Sequence, residues 1–407
     1  MIRVGVDIGN SKISCIVCDI NSKGKIKILS FIASPTNNVK KSSIINIEKI
    51  KQEIKEILSK ASKESQTDIA SVRVNIPVVD SLTNYYTSEV SISNDKVTEL
   101  HLKTTINESE ILEPIDNYKI ILRSVLNYQL DNQTNILDPR GMYGENLKVF
   151  FYKLAIRNNY IRTIDTIFKQ LNINIESYIP TPLSSALASL KEDEKDLGSI
   201  NIDLGSGSTS ISIFENKKLI FLDSIPIGGQ NITKDIARGL STTIESAERL
   251  KTLYGSVITN PSDDFELIDV QILGNDNNQF NQINRSQLNA IIKPRVEETL
   301  ELIRQKLKDH NLDKKPIRNL VLTGGGSLLE GIEQYAQTIF DSKTRIIEQI
   351  NGFLIEDKFN KPQFSQTIGL MHYNEKDYKF DFFTENIEKI EKKTIFSRFS
   401  SWLDQYI

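Results

Sequence analysis

The amino-acid sequence predicts an α/β protein made of two related lobes, with a small α+β unit inserted in the first lobe and an amphipathic helix at the carboxyl end. A strand–turn–strand pattern near the start recurs about 200 residues later, as in a duplicated fold. Helical periodicity follows each copy, and the last residues place their apolar side chains on one helical face. The length of 407 residues suits two or three domains at about 150 residues each.

The repeated pattern spans residues 2–18 and 198–214. Each copy reads as a strand, an Asp, an apolar residue, a Gly, a small polar turn and a second strand, and continues into a third strand near residues 25–32 or 218–225. Their alternation and turn residues predict antiparallel hairpins. Two such copies indicate two related domains that face each other.

The remaining elements follow from spacing. Apolar residues at helical intervals predict helices over residues 47–59, 163–171, 232–253 and 286–307. The block 82–155 differs in pattern and predicts a small α+β insertion, with strands over 89–93, 118–130 and 147–155 and a turn at 139–141. A further strand is expected near 175–179, and the mixed charge of residues 375–393 predicts a linker.

Composition excludes several classes of function. The net charge of −3 provides no basic field for a nucleic-acid partner. No 18-residue apolar run and no signal-peptide pattern occur, so a cytoplasmic location is expected. Cys15 and Cys18 lie three apart on a predicted strand and point to opposite faces, so they are expected to be core residues rather than metal ligands.

Two Asp-led turns carry the predicted chemistry. Small residues in tight hairpins let backbone N–H groups cradle phosphate oxygens, whereas an Asp beside a phosphate requires a cation between them. Asp7 and Asp203 are therefore predicted to serve Mg²⁺, directly or through water. The predicted phosphate-binding residues are Gly9, Asn10, Ser11 and Lys12 in the first turn, and Gly205, Ser206, Gly207, Ser208 and Thr209 in the second. Either turn alone could be a plain hairpin; the matched pair favours a site for a nucleoside triphosphate.

Other nucleotide-binding motifs are absent or weak. The sequence contains no Rossmann GxGxxG and no Walker GxxxxGK[ST], and the Gly-rich turns lead into strands. Gly324, Gly325, Gly326 and Ser327 follow a predicted strand, where bare backbone could admit a flat ring or form a simple turn. Glu248 and Lys251, one helical turn apart, could hold ribose hydroxyls or form a surface ion pair.

In their order along the chain, the two Asp-led turns, the Glu248–Lys251 pair and the Gly324–Gly326 cluster resemble the motifs of the actin–Hsp70–sugar kinase superfamily, over residues 5–331. Within it, the chain resembles the FtsA family of bacterial cell-division proteins. Three segments carry that closer resemblance, residues 137–148, 225–236 and 291–298. The resemblance implies an actin-like fold with ribonuclease H-like lobes, and ATP and Mg²⁺ as ligands.

The resemblance also implies a division into subdomains and a set of partners. Expected are subdomain 1A (1–81, 156–196 and 350–378), inserted subdomain 1C (82–155), 2A (197–229 and 316–349), 2B (230–315), a linker (379–393) and a membrane-targeting helix (394–407). The tail of the tubulin homologue FtsZ is expected to bind subdomain 2B, where a helix beginning near Pro294 would present Arg295 to its carboxylates. Self-assembly into filaments and contacts with other divisome proteins are further expectations.

Departures from the superfamily pattern predict slow hydrolysis. Ser206 and Ser210 replace a Gly and an Asp that are common in the second phosphate loop of relatives. Thr181 stands where active relatives often carry a Glu or Gln that positions the attacking water, and a hydroxyl is no general base near neutral pH. ATP binding with at most weak ATPase activity is expected.

The final segment predicts a helix that lies in a membrane surface. At about 100° per residue, one arc of roughly 140° collects its apolar side chains. These are Ile395, Phe396, Phe399, Trp402, Leu403, Tyr406 and Ile407. Lys392, Lys393 and Arg398 suit an anionic lipid surface. A helix docked on a core is the alternative, which the preceding linker disfavours.

The predicted function is therefore an ATP-binding division protein that polymerises on the cytoplasmic face of the inner membrane at the septum and tethers FtsZ there. A small-molecule kinase of the same superfamily would need an aspartate base in the cleft, and Thr181 argues against it. A type IV pilus assembly scaffold of the same fold would be expected to lack the amphipathic tail.

Overall fold

The computed structural model describes residues 1–21, 26–109, 113–271, 280–313, 315, 317, 319–348 and 357–374. The chain forms two compact units: one joins Met1–Asp80 to Asn159–Tyr373, and the other includes Ser81–Asn158. The strands are β1 Ile2–Ile8, β2 Lys12–Ile20, β3 Ile26–Pro35, β4 Val39–Lys40, β5 Ser43–Ile44, β6 Ser71–Ile76, β7 Leu82–Lys96, β8 Tyr118–Leu130, β9 Gln133–Ile136, β10 Tyr143–Arg157, β11 Asn174–Pro180, β12 Ser199–Leu204, β13 Thr209–Glu215, β14 Lys218–Ile225, β15 Leu267–Gln271, β16 Phe280–Asn284, β17 Asn319–Thr323 and β18 Lys343–Ile346. The α-helices are α1 Ile47–Ser65, α2 Glu99–Asn107, α3 Asn158–Gln170, α4 Thr181–Ser189, α5 Glu192–Leu197, α6 Gly229–Gly239, α7 Ile244–Tyr254, α8 Arg285–Asp309, α9 Ile332–Phe340 and α10 Ser365–His372.

The first unit contains two five-stranded sheets of the same topology. In lobe 1 the strand order is β11-β6-β1-β2-β3, and in lobe 2 it is β14-β13-β12-β17-β18. Each sheet has an antiparallel three-stranded meander whose first strand also pairs in parallel with a later strand. Asp7 pairs with Ser14, and Asp203 pairs with Ser210 at the equivalent position. The predicted duplication is confirmed.

Each sheet buries one face beneath helices of its own lobe. In lobe 1, Ile50, Ile54 and Ile57 of α1 pack in one cluster with strand residues such as Val6 and Val74. Helix α1 begins at the cap Asn46, whose side chain accepts a hydrogen bond from the Lys49 amide. In lobe 2, apolar side chains of α6, α7, α8 and α9 form the corresponding core.

Two short helices lie on the other faces of these sheets and pack against each other. Helix α10 contacts β1, β2 and β6, whereas α4 reaches both sheets through contacts with β6, β11, β12 and β13. A Cβ on Gly369 would lie 1.6 Å from the carbonyl oxygen of Ser184, so the helices cross at a distance that only Gly permits. All nine residues of α4 are buried.

The inserted unit is the predicted α+β element. Its four-stranded antiparallel sheet has the order β7-β10-β8-β9. Helix α2, which the sequence analysis did not locate, covers the sheet with Leu102 and Ile106, in a cluster with Leu147 and Phe151.

Three local predictions differ from the structure. The helix expected over residues 232–253 is two helices, because Ser241 adopts a positive φ of 49° and the Thr243 side chain then caps α7. The helix start that the resemblance implied near Pro294 is wrong: this helix is α8, which begins at Arg285, as the spacing over 286–307 predicted, and carries Pro294 in its interior. Two of the inserted strands are longer than predicted, since β7 and β10 each have 15 residues, whereas β8 has the predicted bounds.

Several predictions fall wholly or partly outside the described residues. The linker at 379–393 and the amphipathic helix at 394–407 lie there, as does part of the segment 350–378. The division into named subdomains stays a prediction. In the part of the chain that the structure describes, no helix has both the length and the apolar character needed to cross a bilayer.

Candidate functional site

A cavity of about 390 Å³ opens within the first unit, where the Asp-led turns of both lobes meet. Fifteen of the seventeen predicted nucleotide-binding residues line it: Asp7, Gly9, Asn10, Ser11, Lys12, Asp203, Gly205, Ser206, Gly207, Ser208, Glu248, Lys251, Gly324, Gly325 and Gly326. This volume lies in the range of roughly 300–1,000 Å³ that is usual for small-molecule sites.

Thr209 and Ser327 are not among the residues that line the cavity. The hydroxyl of Thr209 donates to the carbonyl oxygen of Ile227 at 2.9 Å, and that of Ser327 donates to Gly324 at 2.8 Å. Both side chains are buried. Their hydroxyls instead donate hydrogen bonds to backbone carbonyls and so stabilise the loops at residues 205–209 and 324–327.

Each phosphate-type turn is closed by backbone hydrogen bonds. In the first turn, the Gly9 amide donates to the carbonyl oxygen of Lys12 at 3.0 Å. In the second, the amides of Gly229 and Gln230 at the start of α6 donate to Gly205 and Ser206 at 2.9 and 2.8 Å. A Cβ on Gly205 would lie 2.7 Å from the carbonyl oxygen of Ser208, so the second turn requires Gly there.

The two turns touch across the cleft. A Cβ on Gly207 of lobe 2 would lie 1.9 Å from Nδ2 of Asn10 in lobe 1. Oδ1 of Asn10 accepts from the Ser42 amide at 3.1 Å, and the Ser42 hydroxyl donates to Ser208 at 3.1 Å. Nδ2 of Asn10 is buried and has no partner among the described residues.

The two aspartates are buried and differently surrounded. Asp7 accepts from Asn75 at 2.6 Å through Oδ1, and from Thr367 at 3.0 Å and Ser14 at 3.4 Å through Oδ2. Oδ2 of Asp203 accepts from Nε2 of Gln366 at 2.8 Å, whereas its Oδ1 is buried without a described partner.

Asp7, Asp203 and Lys12 influence one another's pKa values. Burial raises the pKa of Asp203 to about 6; the charge of Asp7 adds to the shift, whereas Gln366 and Lys12 oppose it. Burial also raises the pKa of Asp7, against the charge of Lys12. Burial lowers the pKa of Lys12, and the charges of Asp7 and Asp203 resist that shift. Two buried acids that share one lysine leave room for a further positive charge.

The predicted nucleoside residues line the same cavity. Nζ of Lys251 lies 2.7 Å from Glu248 and 2.9 Å from the Thr233 hydroxyl. Gly324 has φ +82°, and a Cβ there would lie 2.3 Å from Oδ1 of Asp203. The third glycine cluster therefore lies directly against the second aspartate.

Sequence reasoning missed the contribution of distant segments. Asn75 on β6 and Gln366 and Thr367 on α10 hold the carboxylates from far along the chain. Asn75 carried one local signal, because it is a polar residue inside the apolar run of a strand. Thr181, at the start of α4, lines the cavity and is buried.

The remaining predicted residues lie elsewhere. Arg295 is on α8 and pairs with Asp235 at 2.6 Å and with Glu298 one turn along the helix. Cys15 and Cys18 are buried free thiols on β2, as predicted for core residues. No cluster of three or more His, Cys, Asp or Glu side chains suited to a metal ion occurs in the described part of the chain. A cation between Asp7 and Asp203 would therefore need water or phosphate oxygens as its other ligands.

Comparison with known proteins assigns the family. Residues 200–369 match the family described as cell division protein FtsA, and residues 83–154 match the SHS2 domain inserted in FtsA. Cell division protein FtsA of Agrobacterium fabrum is 29% identical over 379 residues, which cover 90% of this chain and 86% of that protein. The chain belongs to the FtsA family. This membership favours a cell-division role over the pilus-scaffold and kinase alternatives.

Solved structures identify the fold. A chain of the PilM–PilN type IV pilus biogenesis complex superposes with a TM-score of 0.61 at 17% identity, covering 91% of this chain and 97% of that one. MreB5 of Spiroplasma citri bound to ADP gives 0.53 at 15% identity, covering 97% and 98%. The FtsA-family chain thus has the predicted actin-like fold.

Proposed function

We propose that this cell-division protein binds ATP with Mg²⁺ in the cleft, polymerises on the cytoplasmic face of the inner membrane and tethers FtsZ filaments there at the septum. The observation that carries the nucleotide part is the pair of unpartnered buried atoms at the two turns. Oδ1 of Asp203 is an acceptor suited to a cation, and Nδ2 of Asn10 is a donor suited to a phosphate oxygen.

The two turns fit the parts of a magnesium–triphosphate complex. When bound, Mg²⁺ would supply the positive charge that lets phosphate oxygens approach Asp7 and Asp203. Lys12 would add a point charge, and the backbone amides of the two turns would face the phosphates. Glu248, Lys251 and the Gly324–Gly326 backbone would hold the nucleoside.

ATP would act mainly as a ligand that selects the closed form. Contacts between the lobes already include the Ser42–Ser208, Gln366–Asp203 and Thr323–Ser365 hydrogen bonds. A ligand that grips both turns shifts the population towards closure. Thr181 offers only a hydroxyl at the position expected for a water-positioning side chain, so hydrolysis would be slow.

Membrane attachment would come from the helix at residues 394–407, which lies outside the described part of the chain. One helix of this kind binds lipid weakly and reversibly. Polymerisation would place many such helices side by side at high effective concentration, and thus convert weak attachment into firm attachment. Assembly and membrane localisation would then depend on each other.

The FtsZ tail would bind near Arg295. This guanidinium already bridges Asp235 and Glu298, so carboxylates of an acidic peptide would have to compete with those acids or join them. Its side chain is 27% exposed, which leaves part of the guanidinium open to a partner.

Three measurements test the proposal. Titration with a fluorescent ATP analogue should show binding that Mg²⁺ strengthens, and no binding with or without Mg²⁺ would refute the nucleotide site. In sedimentation with anionic liposomes, Trp402→Ser should reduce pelleting, whereas Gln405→Ala on the polar face should not; equal pelleting would refute the membrane helix.

An FtsZ tail peptide should lose affinity for Arg295→Glu. Arg304→Glu is the matched control, because Arg304 lies on the same helix in a comparable ion pair with Glu301. Equal loss in both variants would mean that the effect is one of general charge, and no loss in either would place the groove elsewhere.

A further inference from the structure

The first turn of α10 contacts both cavity aspartates through two consecutive residues. Nε2 of Gln366 donates to Oδ2 of Asp203 at 2.8 Å, and the Thr367 hydroxyl donates to Oδ2 of Asp7 at 3.0 Å. Adjacent residues on a helix point about 100° apart, so one turn can serve groups on two sides of a cleft. Asp7 belongs to lobe 1 and Asp203 to lobe 2.

Helix α10 is fixed to lobe 1 at its other end. Nη1 of Arg73 on β6 donates to the carbonyl oxygens of Leu370 and Tyr373 at 3.3 and 2.8 Å, and Arg3 on β1 reaches that of Met371 at 3.5 Å. Cations at a helix carboxyl end satisfy its free carbonyls and its dipole. Gln366 is therefore presented to Asp203 from a backbone that cannot easily turn.

The Gln366 hydrogen bond determines which oxygen of Asp203 is free. Oδ2 is occupied, whereas Oδ1 is buried without a described partner and lies beside Gly324. Asp7 differs, because donors of its own lobe reach both of its oxygens. The orientation of the lobe 2 carboxylate thus depends on a side chain of lobe 1. The Ser185 hydroxyl of α4 makes only a smaller contribution, which lowers the pKa of Asp203.

We propose that Gln366 is a positioning residue that aims Oδ1 of Asp203 at the cation when the lobes close, and so couples cation binding to closure. This rests on the proposed magnesium–nucleotide function. Separation of the lobes would break the Gln366–Asp203 hydrogen bond together with the neighbouring Ser365–Thr323 hydrogen bond, and the Asp203 carboxylate would then be free to rotate. Cation binding and lobe closure then favour each other, since each requires the other's geometry.

The test replaces Gln366 with Met, which keeps the length and removes the donor. The affinity for a fluorescent ATP analogue is measured in Mg²⁺ and in EDTA. In Gln366→Met, the increase in affinity that Mg²⁺ gives should be about tenfold smaller, which is the loss expected for one hydrogen bond to a charged group. Affinity in EDTA should stay within twofold of the unmodified chain. Gln334→Met, at an exposed position on α9, is the matched control and should change neither value.

A second readout does not depend on affinity. Small-angle X-ray scattering of the unmodified chain should show contraction on adding Mg²⁺ and ATP, and Gln366→Met should contract less. Gln366→Glu keeps the test decisive if the Met variant is unstable, because its carboxylate repels Asp203 without a cation. That variant should be more open than the unmodified chain in EDTA and should contract when Mg²⁺ is added.

The outcomes separate the two proposals. If the unmodified chain binds the analogue with a gain from Mg²⁺ and Gln366→Met keeps that gain, the positioning role is refuted and the nucleotide site stands. An equal loss in Mg²⁺ and EDTA would also refute it, because Gln366 would then be a direct nucleotide contact. If the unmodified chain binds no nucleotide, the proposed function itself fails.

Discussion

The crossing of α4 and α10 allows a direct test of how closely these two helices must pack. In Gly369→Ala, the new Cβ would lie 1.6 Å from the Ser184 carbonyl oxygen, where an ordinary contact begins at 3.4 Å. The obstacle is the backbone of a fully buried helix, so no side chain can rotate away. The helices must therefore separate by about 1.8 Å, since close-packed interiors absorb such strain by movement of whole elements.

The cost follows from what α10 buries. A gap of about 1 Å already forfeits up to half of the dispersion attraction between packed atoms. Ile368, Leu370 and Met371 are buried on α10, and burying each is worth about 1.5–3 kcal/mol. Loss of about half this amount is about 3 kcal/mol, and the helix preference of Ala over Gly returns about 1 kcal/mol. We expect a net loss of about 2 kcal/mol in the free energy of unfolding.

Gly239→Ala provides the matched control. Gly239 ends α6, and the three atoms nearest to a Cβ there would all belong to the Ile291 side chain, with its movable end Cδ1 nearest at 2.8 Å. Its stability should change by less than about 1 kcal/mol. Urea unfolding followed by circular dichroism measures both variants, and binding of the ATP analogue should weaken only in Gly369→Ala, because α10 carries Gln366 and Thr367. Equal stability of the two variants would refute the packing argument.

Three further predictions concern the site and the core. Gly207→Ala should weaken binding of the ATP analogue at least about tenfold, because its Cβ would lie 1.9 Å from Asn10 Nδ2; unchanged affinity would contradict the described loop contact. Asp203→Asn should raise the melting temperature of the nucleotide-free protein, because a pKa raised from 3.8 to about 6 means that keeping Asp203 ionised costs up to about 3 kcal/mol of stability at pH 7.5. The same variant should lose the increase in nucleotide affinity that Mg²⁺ gives. A lower melting temperature would contradict the energetic cost of the buried charge. Burial raises the pKa of Cys15 and Cys18 from 9.0 to about 12. In the folded protein these thiols should therefore resist Ellman's reagent at pH 8, and rapid labelling would contradict their burial. The free energy of unfolding should be unchanged below pH 9 and should fall between pH 9 and 12 by up to about 1.4 kcal/mol per thiol per pH unit.

The duplicated lobes were predictable because their signals are local. Each aspartate, glycine turn and returning strand lies within one short segment, so alternation and turn residues identify the hairpin without knowledge of the rest of the chain. The same pattern does not say which turn residues face a cavity. Thr209 and Ser327 fit the small-residue pattern, yet their hydroxyls bind backbone carbonyls.

The contributions of α10 were not predictable for the opposite reason. Gln366 and Asp203 are separated by 163 positions, and Thr367 and Asp7 by 360. No spacing rule connects residues so far apart, and Gln and Thr in a short apolar helix resemble ordinary polar positions. The break between α6 and α7 had a local signal, because Ser241, Thr242 and Thr243 form a run suited to caps, but apolar residues at helical spacing on both sides masked it.

Duplication of the sheets makes the two aspartates equivalent in position, but they differ in how many of their carboxylate oxygens already accept hydrogen bonds. Asp7 and Asp203 each lie opposite a Ser in the register of their hairpins. Within the described residues, Asp7 has hydrogen bonds to both oxygens from its own lobe, whereas Asp203 has one oxygen bound from the opposite lobe and one without a partner. A cation would therefore gain most from Asp203, the carboxylate whose aim depends on lobe 1. Under the proposed function, this asymmetry would make lobe 2 the part whose position the cation controls, although the two sheets share one topology.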